Sequence, residues 1–163
     1  MGRPNYINGG IYNLEMKKIK TYLKLMRVHH YIKNGLVFAA LACSGQLFQG
    51  KKLLSGIAGF AAFCLVSSVV YIINDIGDRE KDRLHPTKCN RPIASGAISV
   101  SSAWFLTAAL LLAAAGCNSI VLHRDSSLLL LLYLVLNLAY SWGLKNIPLV
   151  DVAILTSGFL LRI

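Results

Sequence analysis

The stretch NDIGDREKDRLHP, Asn74 to Pro86, carries four of the seven acidic residues in the 163-residue chain. It follows directly on LLSGIAGFAAFCLVSSVVYII, Leu53 to Ile73, which holds no charge at all. Leu53 to Asn74 is 22 residues long, and at about 1.5 Å per residue it covers ~30 Å, the thickness of a bilayer's hydrocarbon core. Carboxylates gathered at the end of such a run demand a compensating partner, because an unpaired charge at a membrane boundary is costly.

The surrounding chain repeats the pattern. Ile93 to Leu122 is uncharged over 30 residues and Ser126 to Leu144 over 19. Gly35 to Gly50 gives 16, which the preceding YLKLMRVHHYIKN extends toward the N-terminus. A fifth apolar run begins after Asp151 and reaches Ile163. With 55% hydrophobic residues and a mean hydropathy of +0.56, the chain is too apolar for an ordinary soluble domain. One such run could be a buried core helix; several in succession predict an all-α bundle of transmembrane helices. Residues 1–15 (MGRPNYINGGIYNLE) are polar with three glycines and are read as a disordered lead, with residues 16–163 forming the membrane domain, its fifth helix incomplete. No short apolar run with a cleavage site follows the first charges, as a signal peptide would require. Cys43, Cys64, Cys89 and Cys117 are widely spaced, with no CxxC pattern, and predict neither a disulfide framework nor a thiolate metal site.

Basic residues orient the bundle. Thirteen flank one set of span ends (Arg3, Lys17, Lys18, Lys20, Lys24, Arg27 and Lys33; Arg79, Lys81, Arg83, Lys88 and Arg91; Lys145), against Lys51, Lys52 and Arg124 on the other. The excess places the N-terminus and the acidic loop on the cytoplasmic side of an inner membrane. The net charge of +10 therefore calls for no nucleic acid; anionic headgroups and phosphorylated substrates account for it.

Asp75, Asp78 and Asp82 are spaced i, i+3, i+7, which on one helix confines them to an arc of about 60°. Lys81 is assigned to the far side. A hard cation such as Mg²⁺ suits this stripe, since it prefers oxygen ligands and bridges carboxylates to substrate phosphates. Asn74 adds a neutral oxygen, and Gly77 leaves room for a ligand to approach. Lys88 and Arg91, held between Pro86 and Pro92, are candidates for the far side of a diphosphate. The competing reading is a solvated helix end, with Asp78 or Asp82 paired to Arg79, a weak exposed contact.

NDIGDREKDRLHPTKCNRPIASG resembles the first aspartate-rich motif of the UbiA-type polyprenyl transferase superfamily. YSWGLKNIPLVD, Tyr140 to Asp151, resembles its second, and RVHHYIKN, Arg27 to Asn34, the start of its first helix. The spacing of Arg27 and Lys33–Asn34, the HPTK and RPIASG segments and the later YS, LK, P and D residues are most similar to its decaprenyl-phosphate phosphoribosyltransferase branch. The resemblance covers about Lys24 to Ile163. It implies a nine-helix bundle, of which about five helices fall within this chain, around a cytoplasm-facing cavity. It also implies a Mg²⁺-dependent transferase of cell envelope biosynthesis that moves a 5-phosphoribosyl group from phosphoribosyl pyrophosphate to a polyprenyl phosphate. The alternative within the family is transfer of a prenyl group from prenyl diphosphate to an aromatic or other acceptor. By the same resemblance Asn74, Asp75, Asp78 and Asp82 hold the metal, and Lys33, Lys88, Arg91, Tyr140 and Lys145 contact substrate phosphate. Asp151 either belongs to the site or complements its helix dipole. Arg162 lies deep in the fifth run or snorkels. His29, His30 and His85 are read as interfacial or loop residues, and Trp104, Trp142 and Tyr133 as packing or belt aromatics.

Two other classes remain. A cation channel would line its path with intramembrane acids, whereas these acids sit at a helix end. A structural or assembly subunit would use the spans for packing alone.

Overall fold

The computed structural model describes residues 6–121 and 124–142 and, beyond them, 152, 156–158 and 160, with side chains for residues 15–119, 126–141, 152, 156–158 and 160. It is helical throughout, without a strand among the described residues: α1 (Tyr6–Met26), a 3₁₀ stretch Val28–Gly35, α2 (Leu36–Cys43), α3 (Gly50–Gly77), α4 (Arg79–Arg83), a 3₁₀ turn Lys88–Asn90, α5 (Val100–Val121) and α6 (Arg124–Trp142). The multi-helix bundle expected from the apolar runs is therefore present. Helix α1 takes in Tyr6 to Glu15, the segment assigned to a lead.

Helix α3 is the axle. It packs against α1, α2, α5 and α6, and its mean hydropathy of 2.2 comes with 56% of its apolar stretch buried, against 22% for Val100–Ser119 of α5. A helix that is apolar all round can satisfy both faces only in the middle of a bundle. Two clusters fill the space around it. One joins Leu25 to Val69 and Ile72, Ile93 and Ile98, and Ala103 and Leu110. The other joins Ala62, Phe63 and Val66 to Ala114, Leu130 and Tyr133. Between them runs a ladder of buried hydroxyls and one amide. Ser67 Oγ lies 3.1 Å from Tyr133 Oη, Tyr31 Oη lies 2.7 Å from Ser68 Oγ, and Asn34 Nδ2 donates to Cys64 Sγ at 3.3 Å. Such contacts hold helices together where lipid offers no hydrogen-bond partner. The outer faces of α5 and α6 leave Phe105, Leu112, Leu128 and Leu131 exposed, a surface for lipid or further helices to cover. Tyr133 is a buried packing residue, edge-on to Phe63; Trp104 is exposed on α5.

The first expected span is the one that the structure alters most. Among the described residues, α3 and Val100–Ser119 are long and apolar enough to cross a membrane, and Ser126–Ser141 is a shorter apolar helix. The first expected span is not one helix. Arg27 adopts φ 53, ψ 45, a left-handed conformation that costs an L-residue about 1–2 kcal/mol, and the chain turns there from α1 into the 3₁₀ stretch. Helix α2 then stops after eight residues, where Gly45 takes φ 68 and its N–H bonds to the carbonyl of Ala42 at 3.0 Å, a left-handed helix end that favours glycine. The fifth run falls largely outside the described residues, as do Lys145, Asp151 and Arg162.

Gly56 sets the approach of α2 to α3. A Cβ built there would stand 3.2 Å from Leu41 Cδ2 and 3.6 Å from the Phe38 ring. Gly56→Val should force the pair apart and cost about 1–3 kcal/mol, read as a lowered melting temperature of the full-length protein in detergent. Gly56→Ala should cost less, since one methyl asks Leu41 to give by a few tenths of an ångström.

Candidate active site

The acidic stretch does not continue α3 as one straight stripe. Helix α3 ends at Gly77, Asp78 sits at φ −89, ψ 4, and α4 begins at Arg79. That backbone region is sparsely populated and recurs at functional residues. The hydrogen bonds carry on through it: Asp78 N–H donates to Asn74 O at 2.9 Å and Asp82 N–H to Asp78 O at 2.8 Å. The axis therefore turns without losing its helical register, and it parts the acids into two neighbouring groups.

Asp75 and Asp82 form the first group. Both side chains are almost fully buried, at 3% and 4% exposure, and both are held by arginine. Arg91 Nη1 donates to Asp75 Oδ1 at 3.1 Å and to Asp82 Oδ2 at 2.6 Å, so one guanidinium nitrogen bridges the two carboxylates. Arg27 Nη2 donates to the same Asp75 oxygen at 2.7 Å, and its guanidinium lies 4.6 Å from the centre of the Tyr71 ring, a cation–π contact. This pairing gives the strained backbone at Arg27 a reason to persist, since the left-handed turn aims the side chain at Asp75.

The segment after α4 is folded to deliver Arg91. His85 Nδ1 accepts the backbone N–H groups of Thr87 at 3.2 Å and Lys88 at 3.3 Å, which makes His85 the loop residue expected of it. Lys24 Nζ donates to Asn90 O at 3.0 Å, tying the end of α1 to the turn before Arg91. Arg83 Nε donates to Ala94 O at 3.2 Å. Gly96, at φ 77, turns the chain so that Ile98 N–H reaches Pro92 O at 3.0 Å, and Ser99 Oγ accepts the N–H of Ser102 at 3.1 Å, an N-cap that starts α5. The RPIASG segment is thus a compact cap: Arg91 reaches back to the acids while Ile93 and Ala94 are buried.

Asn74 and Asp78 form the second group. With Ile73, Gly77, Lys81 and Ser141 they line a cavity of about 210 Å³. Lys81, assigned from the sequence to the far side of the helix, shares this cavity with Asp78; on the helical wheel it lies about 60° from Asp78, although about 120° from Asp75. Ser141 comes from the second quoted motif, so the ends of α3 and α6 meet here. Tyr140 is half-buried beside it. Lys33 and Lys88 are exposed and take no part in the ion pairs of the acidic cluster. Arg27 and Ser141 belong to the quoted motifs, but neither they nor Lys24 carry a site role in the sequence reading. The signal for Arg27 was the acid excess itself, since buried carboxylates require buried or half-buried cations.

A divalent cation would find the donors it prefers here, hard carboxylate and amide oxygens, but not the placement. No three of the described His, Cys, Asp and Glu residues converge on a point that could hold an ion, and a guanidinium nitrogen already stands between Asp75 and Asp82. In this arrangement the residues do not form a metal cage.

Removing one partner from a buried ion pair leaves an uncompensated charge and costs about 3 kcal/mol. Arg91→Ala should therefore lower the stability of the full-length protein in detergent by about that amount. Asp82→Asn added to Arg91→Ala should recover part of the loss, because the two residues act as one unit. Strict additivity of the two losses in a denaturation series would show that the bridge is not coupled.

Residues 35–163 match the UbiA prenyltransferase family. Decaprenyl-phosphate phosphoribosyltransferase of Mycolicibacterium smegmatis is 40% identical over 144 residues, covering 86% of this chain and 45% of that protein. The enzyme of the same name from Corynebacterium glutamicum is 34% identical over 143 residues, covering 86% and 43%. A solved structure of a digeranylgeranylglyceryl phosphate synthase superposes with a TM-score of 0.73 at 23% identity, over 90% of this chain and 51% of that one, which establishes the shared fold. The chain spans less than half the length of the curated relatives just named. With its apolar helices and this membrane-type fold, it belongs to the UbiA prenyltransferase family, whose members are transferases.

Proposed function

We propose that the protein carrying this chain is an integral-membrane transferase that moves a 5-phosphoribosyl group from phosphoribosyl pyrophosphate to a polyprenyl phosphate. The observation that carries the reading is the meeting of the two motif segments: Asn74, Gly77, Asp78 and Lys81 share one cavity with Ser141, beside the Arg27–Asp75–Arg91–Asp82 cluster. The sequence likeness to decaprenyl-phosphate phosphoribosyltransferases across most of the chain supports the choice of transferred group.

The reaction asks little covalent work of the protein. The bond from the sugar's anomeric carbon to the diphosphate oxygen breaks, and the diphosphate leaves with the electron pair. An oxygen of the lipid phosphate forms the new bond at that carbon. The lipid phosphate is already an anion, so no base is required to generate the nucleophile. What the reaction needs is positive charge where the leaving group develops negative charge. Lys81 lines the cavity; Arg91, Lys33, Lys88 and Lys145 are the other cations assigned to phosphate, and Tyr140 a hydrogen-bond donor to it. Arg27 holds Asp75 in place. Mg²⁺ dependence belongs to the same proposal, with Asn74, Asp75, Asp78 and Asp82 as the donor set, but no step is derived through the ion, because Arg91 occupies the bridging position. The reading includes an inner-membrane location with the N-terminus and the acidic motif in the cytoplasm. The Lys24–Asn90 and Arg27–Asp75 contacts support it by putting the end of α1 and the acidic loop at the same end of α3.

The test uses the full-length protein in membranes. One tube receives phosphoribosyl pyrophosphate labelled in the ribose and a polyprenyl phosphate; a second receives prenyl diphosphate and an aromatic acid. Label should move into the lipid fraction in the first tube alone, and Asp78→Ala should lower the rate by about 10²-fold or more. Product in the second tube with none in the first assigns prenyl transfer instead.

A further inference from the structure

We propose that the groove between α1 and the first turns of α5 binds an anionic phospholipid, with Lys17 and Lys18 on its phosphate and Tyr22, Phe105 and Leu106 along the upper part of an acyl chain. Two hollows carry the proposal. One, of about 380 Å³, lies among Lys17, Lys18, Thr21 and Ile98. The other, of about 520 Å³, runs past Ser101, Ser102, Phe105 and Ala109. Tyr22 is a wall of both. None of these residues lines the cavity at Ser141 or pairs with the acids of the α3 end.

The groove changes character along its length as a lipid does. Lysines and hydroxyls stand at one end. From Ser101 to Ala109 the axis of α5 advances ~12 Å, and the lining passes from hydroxyl to hydrocarbon. Phe105 is 80% exposed there, on a helix long and apolar enough to cross a membrane. Lys17, Lys18 and Lys20 are exposed, and among the described residues none of them is ion-paired. Unpaired cations at the mouth of an apolar slot are complementary to a lipid whose headgroup carries net negative charge, and each such lysine strengthens the attraction by about 5-fold. A zwitterionic headgroup would bring its own ammonium to the two lysines. A protein helix laid on the apolar half would leave them without a counter-charge.

Helix α1 is placed to hold such a lipid. On the helical wheel Met16, Ile19, Tyr22 and Leu23 fall within an arc of about 120°, and all four are exposed. Lys17, Lys20 and Lys24 fall within about 60° on the other flank, and Leu25 is fully buried. A helix divided in this way lies in the plane of the membrane interface with its apolar arc toward the acyl chains. Tyr22 stands at the edge of that arc, where the groove along α5 opens. Ile98 belongs to the same buried cluster as Leu25 and Ile93, so the lipid braces the two segments that carry Arg27 and Arg91. The inference rests on the chain's membrane fold and not on the proposed reaction, and its test involves no turnover.

The experiment uses the full-length protein in phosphatidylcholine nanodiscs. These contain a small, equal fraction of either phosphatidylglycerol or phosphatidylcholine with a photoactivatable diazirine near the head of one acyl chain. After illumination, the labelled peptides are mapped by mass spectrometry. The peptide containing Phe105 should take several-fold more label from phosphatidylglycerol than from phosphatidylcholine. Lys17→Gln combined with Lys18→Gln should lower the phosphatidylglycerol label there by at least 10-fold. Lys51→Gln combined with Lys52→Gln, which removes the same charge at the start of α3, should leave it unchanged. Equal labelling by the two lipids overturns the proposal, and so does an equal loss in the two double variants, which would reduce the effect to general charge attraction. Unlabelled polyprenyl phosphate that displaces the probe at lower concentration than unlabelled phosphatidylglycerol assigns the groove to a different lipid and overturns it as well. The comparison of the two lipids needs no variant, so it decides the question even if a variant fails to fold.

Discussion

A single guanidinium nitrogen, Arg91 Nη1, lying 3.1 Å from Asp75 and 2.6 Å from Asp82, ties the end of the central helix, the short helix after it and the following loop together by charge, where apolar packing and the Arg83–Ala94 hydrogen bond also join them. Asp75 belongs to the last turn of the central helix, Asp82 to the short helix after it, and Arg91 to the loop that leads into α5. Without the bridge, two buried carboxylates would share Arg27 as the one arginine left of the two that pair with Asp75, a state that costs about 3 kcal/mol. With it, the bend after Gly77 is fixed, and Asn74, Asp78 and Lys81 are turned toward α6. The charge arrangement thus shapes the cavity as much as the apolar packing does.

The apolar clusters and the polar ladder of Asn34, Ser67, Ser68 and Tyr133 serve the same end. They hold α3 centrally, with its acidic end at the level where α1 finishes and α5 begins. Leu25, two residues before Arg27, is fully buried against Val69, Ile72 and Ile93, so the residue that orients Arg27 is itself anchored in the core. Lys24 reaches the other way, to Asn90. Lys24, Leu25 and Arg27, within about one turn of sequence, therefore clamp the site from the N-terminal side. This explains why the α1–α2 segment is broken at Arg27 instead of running on as a single span: a continuous helix could not bury Leu25 and also aim Arg27 at Asp75.

Much of this was legible in the residues. The uncharged runs announced the helices, and the acids after Ile73 announced the end of the central one. The helical period of Asp75, Asp78 and Asp82 survives through the continued hydrogen bonds of Asn74, Asp78 and Asp82. What the period could not show is which face meets which partner. Asp75 and Asp82 turn to arginines 48 and nine residues away in sequence, and no local rule specifies such pairings. Lys81 was assigned to the far side of the acidic stripe, whereas it shares a cavity with Asp78. The break at Arg27 was hidden as well, because a left-handed arginine has no sequence signature of its own; tertiary contacts over-determine it. Ser141 could be placed at the cavity only once α6 was known to end beside α3.

Gly77 and Ser141 line one cavity, which on the proposed function encloses a diphosphate. Cysteines introduced as Gly77→Cys and Ser141→Cys, in full-length protein whose four native cysteines are replaced by alanine, report on it through a short thiol-to-thiol cross-linker. The pair should cross-link rapidly in membranes, and phosphoribosyl pyrophosphate should slow the reaction strongly. A pair that does not cross-link, or that cross-links at the same rate with and without phosphoribosyl pyrophosphate, would rule out a diphosphate held between these two segments.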